Sequence, residues 1–149
     1  MFGLGSSALA SQDLRQKLHR IGFFATESPD NHQAITSAAL MTEDDFGIVI
    51  SHSGTTPETL EVLQIMRSSG AKTVAITNFP DSPIATAADY ALITAAKETR
   101  YRSGAMSSRI AQLALVDFLF VRLMQLRLES AEVMLERTYL AVRGDRSSN

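Results

Sequence analysis

The chain has 149 residues, which is enough for one domain with a full hydrophobic core. Its 45% hydrophobic and 20% charged residues are typical of a globular protein, and the net charge of -2 argues against nucleic-acid binding by this chain alone. Cysteine is absent, which excludes disulfides and thiolate metal sites and suits a cytoplasmic protein.

The predicted elements alternate between short apolar strands and helices. In chain order the sequence predicts a strand ending at residue 3, a helix over 8–20, a strand over 23–28, a helix over 31–40, a strand over 46–50, a helix over 57–69, a strand over 73–77, a turn at 78–83, a strand over 90–93, helices over 107–128 and 130–142, and a frayed tail. This alternation predicts an α/β fold: a doubly wound three-layer sandwich around a five-stranded, mainly parallel sheet with flavodoxin-like order.

The first strand is expected to be truncated. The opening letters MFGLGSS resemble the last two residues of a strand followed by a glycine turn, whereas strands usually have about five or six residues. We therefore expect the chain to be a piece of a longer protein.

The long helix predicted over residues 107–128 is apolar on nearly all sides. Asp117, Arg122 and Arg127 interrupt its most apolar part, so we expect no membrane span. A helix that is apolar all round is buried on more than one side. Since a small sheet covers only one side, we expect a partner subunit on the other, in a homodimer or higher homo-oligomer.

Ser and Thr are concentrated in loops that follow the predicted strands. Residues 3–7, 51–56 and 77–78 all follow strand ends, and ligands of parallel sheets bind at that edge. The first two loops lead directly into helices, whose N-terminal N–H groups and dipoles favour phosphate. Gly54 would let the backbone approach a ligand closely. These loops therefore predict a phosphate-binding site.

Helix capping is the alternative explanation of the same hydroxyls. Ser and Thr are favoured N-caps, and Thr55 with Glu58 fits a capping box. Capping accounts for one or two hydroxyls per helix, but not for the same excess at two neighbouring strand ends. Neither loop matches a dinucleotide fingerprint or a P-loop, and no metal-ligand spacing stands out, so we expect no cofactor and no metal.

Three segments together resemble a known family. GLGSSALA, ISHSGTTPETLEVL and GAKTVAITNFPDSPIATAAD are similar, in order and spacing, to the sugar isomerase (SIS) domain of phosphosugar isomerases and phosphosugar-sensing regulators. The resemblance covers the chain from residue 2 to about residue 128. It implies a phosphosugar-binding domain over residues 1–128, followed by a C-terminal helix and tail over 129–149.

The resemblance also implies which residues bind the sugar phosphate. The implied ligand-binding residues are Ser7, Ser51, His52, Ser53 and Thr56, with Ser6, Gly54 and Thr55 as neighbours, and Glu98 and Ser103 from the segment after the last strand. Two of these positions have simpler explanations. Glu98 is equally explained as a solvated charge in a linker, and Ser103 as a cap of the long helix.

The segment ETRYRSGAMSSRIAQLALVDFLFVRL most resembles regulators of the RpiR type. In those proteins the SIS domain is the C-terminal effector module, and an N-terminal helix-turn-helix domain, which this chain lacks, binds DNA. The resemblance thus implies a phosphosugar sensor that touches DNA only through that missing domain.

The alternative is a stand-alone aldose–ketose isomerase. That reaction needs an acid–base pair, commonly Glu and His. No Glu is convincingly placed beside His19, His32 or His52. We therefore expect no catalytic residues and interpret His52 as part of a binding loop.

Overall fold

The computed structural model describes residues 1–98 and 105–143. Four strands and six helices lie in these ranges. They are β1 (Phe2–Gly3), α1 (Ser6–Arg20), α2 (Asn31–Ala39), β2 (Phe46–Ile50), α3 (Pro57–Ser68), β3 (Lys72–Thr77), α4 (Pro83–Ala87), β4 (Tyr90–Ile93), α5 (Met106–Leu126) and α6 (Leu128–Arg143). The frayed tail expected at the C-terminus falls almost wholly outside the described residues.

The sheet is parallel and runs in the order β1-β2-β3-β4. Gly3 is in register with Ile50, and Ile50 with Ile76, so the carboxyl ends of the first three strands meet at one edge. One core cluster lies where α2, α3 and α4 pack on the sheet, and a second where Ala10 of α1 and Leu113 of α5 meet Ile50 and Ile76. Helices thus cover both faces, which confirms the α/β three-layer fold.

The sheet has four strands in the described ranges, where the sequence predicted five. Residues 23–28 form no strand, although they lie beside β1: Ser28 N–H donates to the carbonyl of Met1, and the Met1 amino group donates to the Thr26 carbonyl. Because β1 has only two residues, it is too short to form a regular ladder of backbone hydrogen bonds with this segment. Phe24 is accordingly 96% exposed. The observed order is the flavodoxin-like order without that edge strand.

One short helix was not predicted. Residues 78–83 were expected to be a turn, and they lead into α4. The Ser82 hydroxyl accepts from the Ala85 N–H, and Pro83 occupies the first turn, so both carry signals that start a helix. We missed α4 because its five residues are too few to display a helical period.

Helix α5 rests on α1 and also presents apolar side chains to solvent. Gln112 and Val116 are buried, and Lys17 of α1 forms an ion pair with Asp117 at 2.8 Å. On the outer side, Ile110 is 66% and Phe118 71% exposed. Over the described ranges, no helix is both long and apolar enough to cross a membrane.

Candidate functional site

A cavity of about 520 Å³ opens at the carboxyl ends of β1 and β2. Two loops supply most of its wall: residues 3–7, called here the first loop, and residues 51–56, called here the second loop. The lining residues are Leu4, Gly5, Ser6, Ser7, Ile50, Ser51, His52, Ser53, Thr56 and Ala105. The cavity thus lies at the edge where the sequence predicted a ligand site.

Three helix N-termini converge on this cavity. Gly5, Thr56 and Ala105 are the N-cap residues of α1, α3 and α5, and all three line it. None of these N-caps makes a side-chain cap hydrogen bond. The first N–H groups of a helix have no partner within the helix and carry the positive end of its dipole. The described lining contains no Lys or Arg, so its attraction for an anion comes from hydroxyls and from those helix N–H groups that have no other acceptor. At the start of α1 the N–H groups of Ser7 and Ala8 already donate to backbone carbonyls, and at the start of α5 the Ser108 N–H donates to a carboxylate.

The hydroxyls of the second loop bind one another rather than cap α3. The N-cap is Thr56, not the Thr55 of the capping-box alternative, and its side chain caps nothing. Instead Thr56 Oγ1 lies 3.0 Å from Ser51 Oγ, which also accepts from the Gly54 N–H at 3.2 Å. The capping explanation of this loop is therefore wrong.

Ser53 is arranged to donate its own proton. Its Oγ accepts from the Thr55 N–H at 3.3 Å and from the Thr55 hydroxyl at 3.1 Å. A hydroxyl has one proton and two lone pairs. Because both lone pairs of Ser53 are used by Thr55, its proton remains for an acceptor at the cavity. Thr55 itself is exposed and lines a neighbouring groove with Phe79 instead.

Gly54 holds the second loop in place from behind. It has φ 66°, and a Cβ at this position would lie 2.1 Å from Ser82 Oγ and 2.8 Å from Thr77 Oγ1. Its carbonyl accepts from the Ile84 N–H. Gly54 does not line the cavity, so the close packing that requires glycine here is against the segment before α4.

The first loop contributes Ser6 and Ser7. A Cβ on Gly3 would lie 3.0 Å from the carbonyl oxygens of Ile50 and Ser7, so strand and helix approach closely here. Ser7 is buried, and its Oγ accepts from the Gln112 amide Nε2 at 3.1 Å. Sequence reasoning missed Gln112 because it lies 105 residues away, on a helix whose pattern gives no sign of this contact.

His52 lies at the cavity, whereas His19 and His32 are exposed and do not line it. The His52 ring meets the Phe79 ring edge-on, with centroids 5.7 Å apart. The His52 carbonyl accepts from Thr77 Oγ1 and the Asn78 N–H, which anchors the second loop to the end of β3.

The segment after β4 brings Glu98 to the start of α5. Its Oε1 accepts from the Ser108 N–H at 2.6 Å, in the first turn of the helix. A carboxylate is stabilised there by the N–H groups and the dipole. Glu98 is half-buried, so it is not a solvated linker charge. Ser103 lies outside the described residues.

No group of three or more His, Asp or Glu residues within 1–98 and 105–143 is gathered as a metal ion would require. Ser6, Ser7, Ser51, His52, Ser53 and Thr56 do line one cavity, while Gly54 and Thr55 lie behind and beside the second loop. The arrangement is rich in hydrogen-bond donors and can hold an acceptor-rich anion.

Comparisons with known proteins agree with this geometry. The family model described as the SIS domain matches residues 1–122. An uncharacterized HTH-type transcriptional regulator of Haemophilus influenzae is 38% identical over 125 residues, which cover 84% of this chain and 43% of that protein. The HTH-type transcriptional regulator RpiR of Escherichia coli is 36% identical over 138 residues, which cover 93% of this chain and 47% of that protein.

Among solved structures, the Vibrio vulnificus NanR protein complexed with ManNAc-6P matches with a TM-score of 0.85 at 28% identity. The match covers 93% of this chain and 53% of NanR. The chain spans about half the length of the two curated regulators from Haemophilus influenzae and Escherichia coli. The predicted resemblance to the SIS domain and to RpiR-type regulators is confirmed.

Proposed function

Because the chain belongs to the SIS domain family, we propose that it is the phosphosugar-sensing effector domain of a bacterial RpiR-type transcriptional regulator. The observation that carries the proposal is the convergence of hydroxyls and the N-termini of α1 and α3 on one cavity, beside the start of α5, where Glu98 accepts from the Ser108 N–H. Such an arrangement suits the phosphate group of a sugar phosphate, because the terminal oxygens of its dianion only accept hydrogen bonds. The relatives named above are transcriptional regulators, and NanR binds ManNAc-6P, a sugar phosphate.

Phosphate binding is assigned to both loops. Ser6 and Ser7 would donate from the start of α1. In the second loop Ser53 would donate together with either Ser51 or Thr56, since one of these two uses its proton in their mutual hydrogen bond. We propose that Glu98 and Ser103 contact the sugar from the side of α5, with Gly54 and Thr55 shaping the second loop.

Residues 1–128 are proposed as the phosphosugar-binding domain, and residues 129–149 as a C-terminal helix and tail. DNA would be contacted through an N-terminal helix-turn-helix domain of the longer regulator, which would act in the cytoplasm. A ligand regulates only through different affinities for two states of the protein. The relevant states here are two arrangements of paired subunits.

Pairing is proposed to use the outer side of α5. Ile110, Phe118 and Val121 are each at least half exposed and recur at helical spacing on that helix. Apolar side chains exposed in a row are typical of subunit interfaces. A homodimer or higher homo-oligomer would cover them.

We propose binding without turnover. Most of the polar side chains in the cavity wall are hydroxyls, and His52 is the one imidazole among the described residues that line it. The curated relatives are named as regulators of transcription, which agrees with the expected lack of enzymatic activity. Isomerisation of a sugar phosphate by the purified chain would contradict this part of the proposal.

A thermal-shift screen tests ligand binding. Hexose phosphates and amino-sugar phosphates are compared with the same sugars without phosphate. At a hundredfold excess over Kd, a ligand should raise the free energy of unfolding by about 2.7 kcal/mol. The free sugars should produce no comparable shift.

The combined Ser51→Ala and Ser53→Ala variant should lose that shift and still unfold cooperatively. Ser37→Ala with Ser68→Ala, two exposed helix positions away from the cavity, serves as the matched control and should keep the shift. If no phosphosugar and no phosphate stabilises the unaltered chain, the proposed function is wrong. If the shift survives in the Ser51 and Ser53 variant, the site lies elsewhere.

A further inference from the structure

Among the described residues, Gln112 makes the side-chain hydrogen bond that reaches the cavity wall from farthest along the chain. It lies on α5, is 1% exposed, and its Nε2 donates to Ser7 Oγ at 3.1 Å. Ser7 is itself buried and lines the cavity. Gln112 does not line the cavity, and its hydrogen bond to Ser7 connects it to the cavity wall.

The hydrogen bond from Gln112 limits the directions in which the Ser7 hydroxyl can donate its proton. A serine hydroxyl can donate or accept, and on its own it suits a sugar hydroxyl as well as a phosphate. Once Oγ accepts from the Gln112 amide, the Ser7 proton has to point away from Nε2. This leaves the Ser7 proton free to be donated to a ligand atom that only accepts, while one of its two lone pairs is already used.

The same principle recurs in the second loop, without a distant residue. Thr55 occupies both lone pairs of Ser53, and the Gly54 N–H donates to Ser51. In all three serines, a protein N–H or O–H group therefore reaches the hydroxyl oxygen. Gln112 thus gives the Ser7 hydroxyl oxygen a hydrogen-bond donor, and neighbouring residues do the same for the serines of the second loop.

Fold stability alone does not explain Gln112. Its carbonyl Oε1 is buried and has no hydrogen-bond partner within the described ranges. A buried acceptor without a partner destabilises the fold. Methionine has a similar volume and would fill the same space without that penalty, so a residue selected only for packing would not need an amide.

We propose that Gln112 is a positioning residue of the phosphate site, which directs the Ser7 proton towards an oxygen of the bound anion. The inference rests on the proposed function, since it assigns the anion to this cavity. It adds a residue outside both loops and links the site directly to α5.

A double-mutant cycle with inorganic phosphate tests the role. Titrations of the intact chain are followed by amide NMR shifts, which resolve weak binding. Gln112→Met should raise the Kd about three- to tenfold, the range expected for one neutral hydrogen bond. The melting temperature of this variant should change little, because removal of the unpartnered carbonyl offsets the loss of the hydrogen bond to Ser7.

Ser7→Ala should weaken binding by at least as much, and adding Gln112→Met to it should have no further effect, because both changes act on one hydroxyl. Gln125→Met, on an exposed position of the same helix, is the matched control and should leave the Kd unchanged. Gln112→Glu should weaken binding more than Gln112→Met, because a carboxylate accepts the Ser7 proton and repels the anion.

The outcomes of these titrations distinguish a failure of the proposed function from a failure of the role assigned to Gln112. If the unaltered chain does not bind phosphate, both the proposed function and the role of Gln112 are overturned. If the unaltered chain and Gln112→Met bind equally well, only the role of Gln112 is overturned. Additive effects of Ser7→Ala and Gln112→Met would likewise show that Gln112 does not act through Ser7.

Discussion

The two loops that line the cavity are held in place by different kinds of contact. In the second loop, Ser51, Ser53, Thr55 and Thr56 bind one another or the loop backbone, all within five residues. In the first loop, the buried Ser7 hydroxyl depends on Gln112, 105 residues away. The hydroxyl contacts of the second loop are thus local, although its backbone is also anchored to the end of β3 and to α4. The Ser7 hydroxyl, in contrast, gains its partner only when α5 packs against α1.

This difference implies different sensitivities. Changes inside the second loop should damage the site directly, whereas the first loop should also respond to changes in α5. A sensor needs such a link, since ligand binding has to alter a surface that another subunit or domain can read. The contact between Ser7 and Gln112 joins the cavity to the helix with the exposed apolar face.

The largest effect is expected from Gly54→Ala. The new Cβ would collide with Ser82 in a backbone at φ 66°, and we expect a loss of about 2 to 4 kcal/mol in the free energy of unfolding. Phosphate binding should be lost with the loop geometry. Chemical denaturation and titration measure both.

Gly5→Ala is the control for Gly54→Ala. Gly5 also has positive φ, but a Cβ there would meet nothing within 4 Å. This variant should therefore show backbone strain without the collision and lose about 1 to 3 kcal/mol. If Gly5→Ala destabilises the chain as much as Gly54→Ala does, then packing behind the second loop is not what requires Gly54.

Phe118→Lys should have an intermediate effect, on assembly. Phe118 is 71% exposed on α5, and burying a lysine charge in an interface is unfavourable. Sedimentation should show a shift from the oligomer towards the monomer. Phe46→Lys, which changes a 65% exposed side chain at the start of β2, should leave assembly unchanged. An unaltered chain that is already monomeric would refute pairing through α5.

The smallest effect is expected at the opposite end of the sheet. The Asp89 carboxylate accepts from the Thr73 N–H and from Thr73 Oγ1, both at 2.8 Å. The backbone hydrogen bond, followed by the hydroxyl, lowers the pKa of Asp89 below its ordinary value. A lowered pKa in the folded state contributes stability above the unfolded pKa, and that contribution is lost as pH falls below about 4.

Asp89→Asn should therefore reduce the acid sensitivity of the melting temperature below about pH 4, without changing phosphate affinity at neutral pH. The exposed Asp44, changed to Asn, is the matched control. A change in phosphate affinity in Asp89→Asn would mean that the two ends of the sheet are coupled, whereas we expect them to be independent.

The parts of the molecule that local patterns encode were predictable. The second loop lies between an apolar strand and a helix that starts with Pro57, and each signal is read from adjacent residues. The parts that depend on packing between residues far apart in the chain could not be predicted from the sequence. Residues 23–28 have the composition of a strand, but β1 offers them too short a partner, and Gln112 has no local feature that points to Ser7.

The central claim is that the two loops and the helix N-termini hold a phosphate group. Amide NMR of the labelled chain tests it most directly, by comparing a hexose 6-phosphate, the same hexose without phosphate, and inorganic phosphate. We predict that both phosphates shift the amides of residues 5–8, 51–56 and 58, and that the free hexose does not. Equal shifts with the free hexose, or shifts confined to the groove at residues 79–83, would contradict the claim.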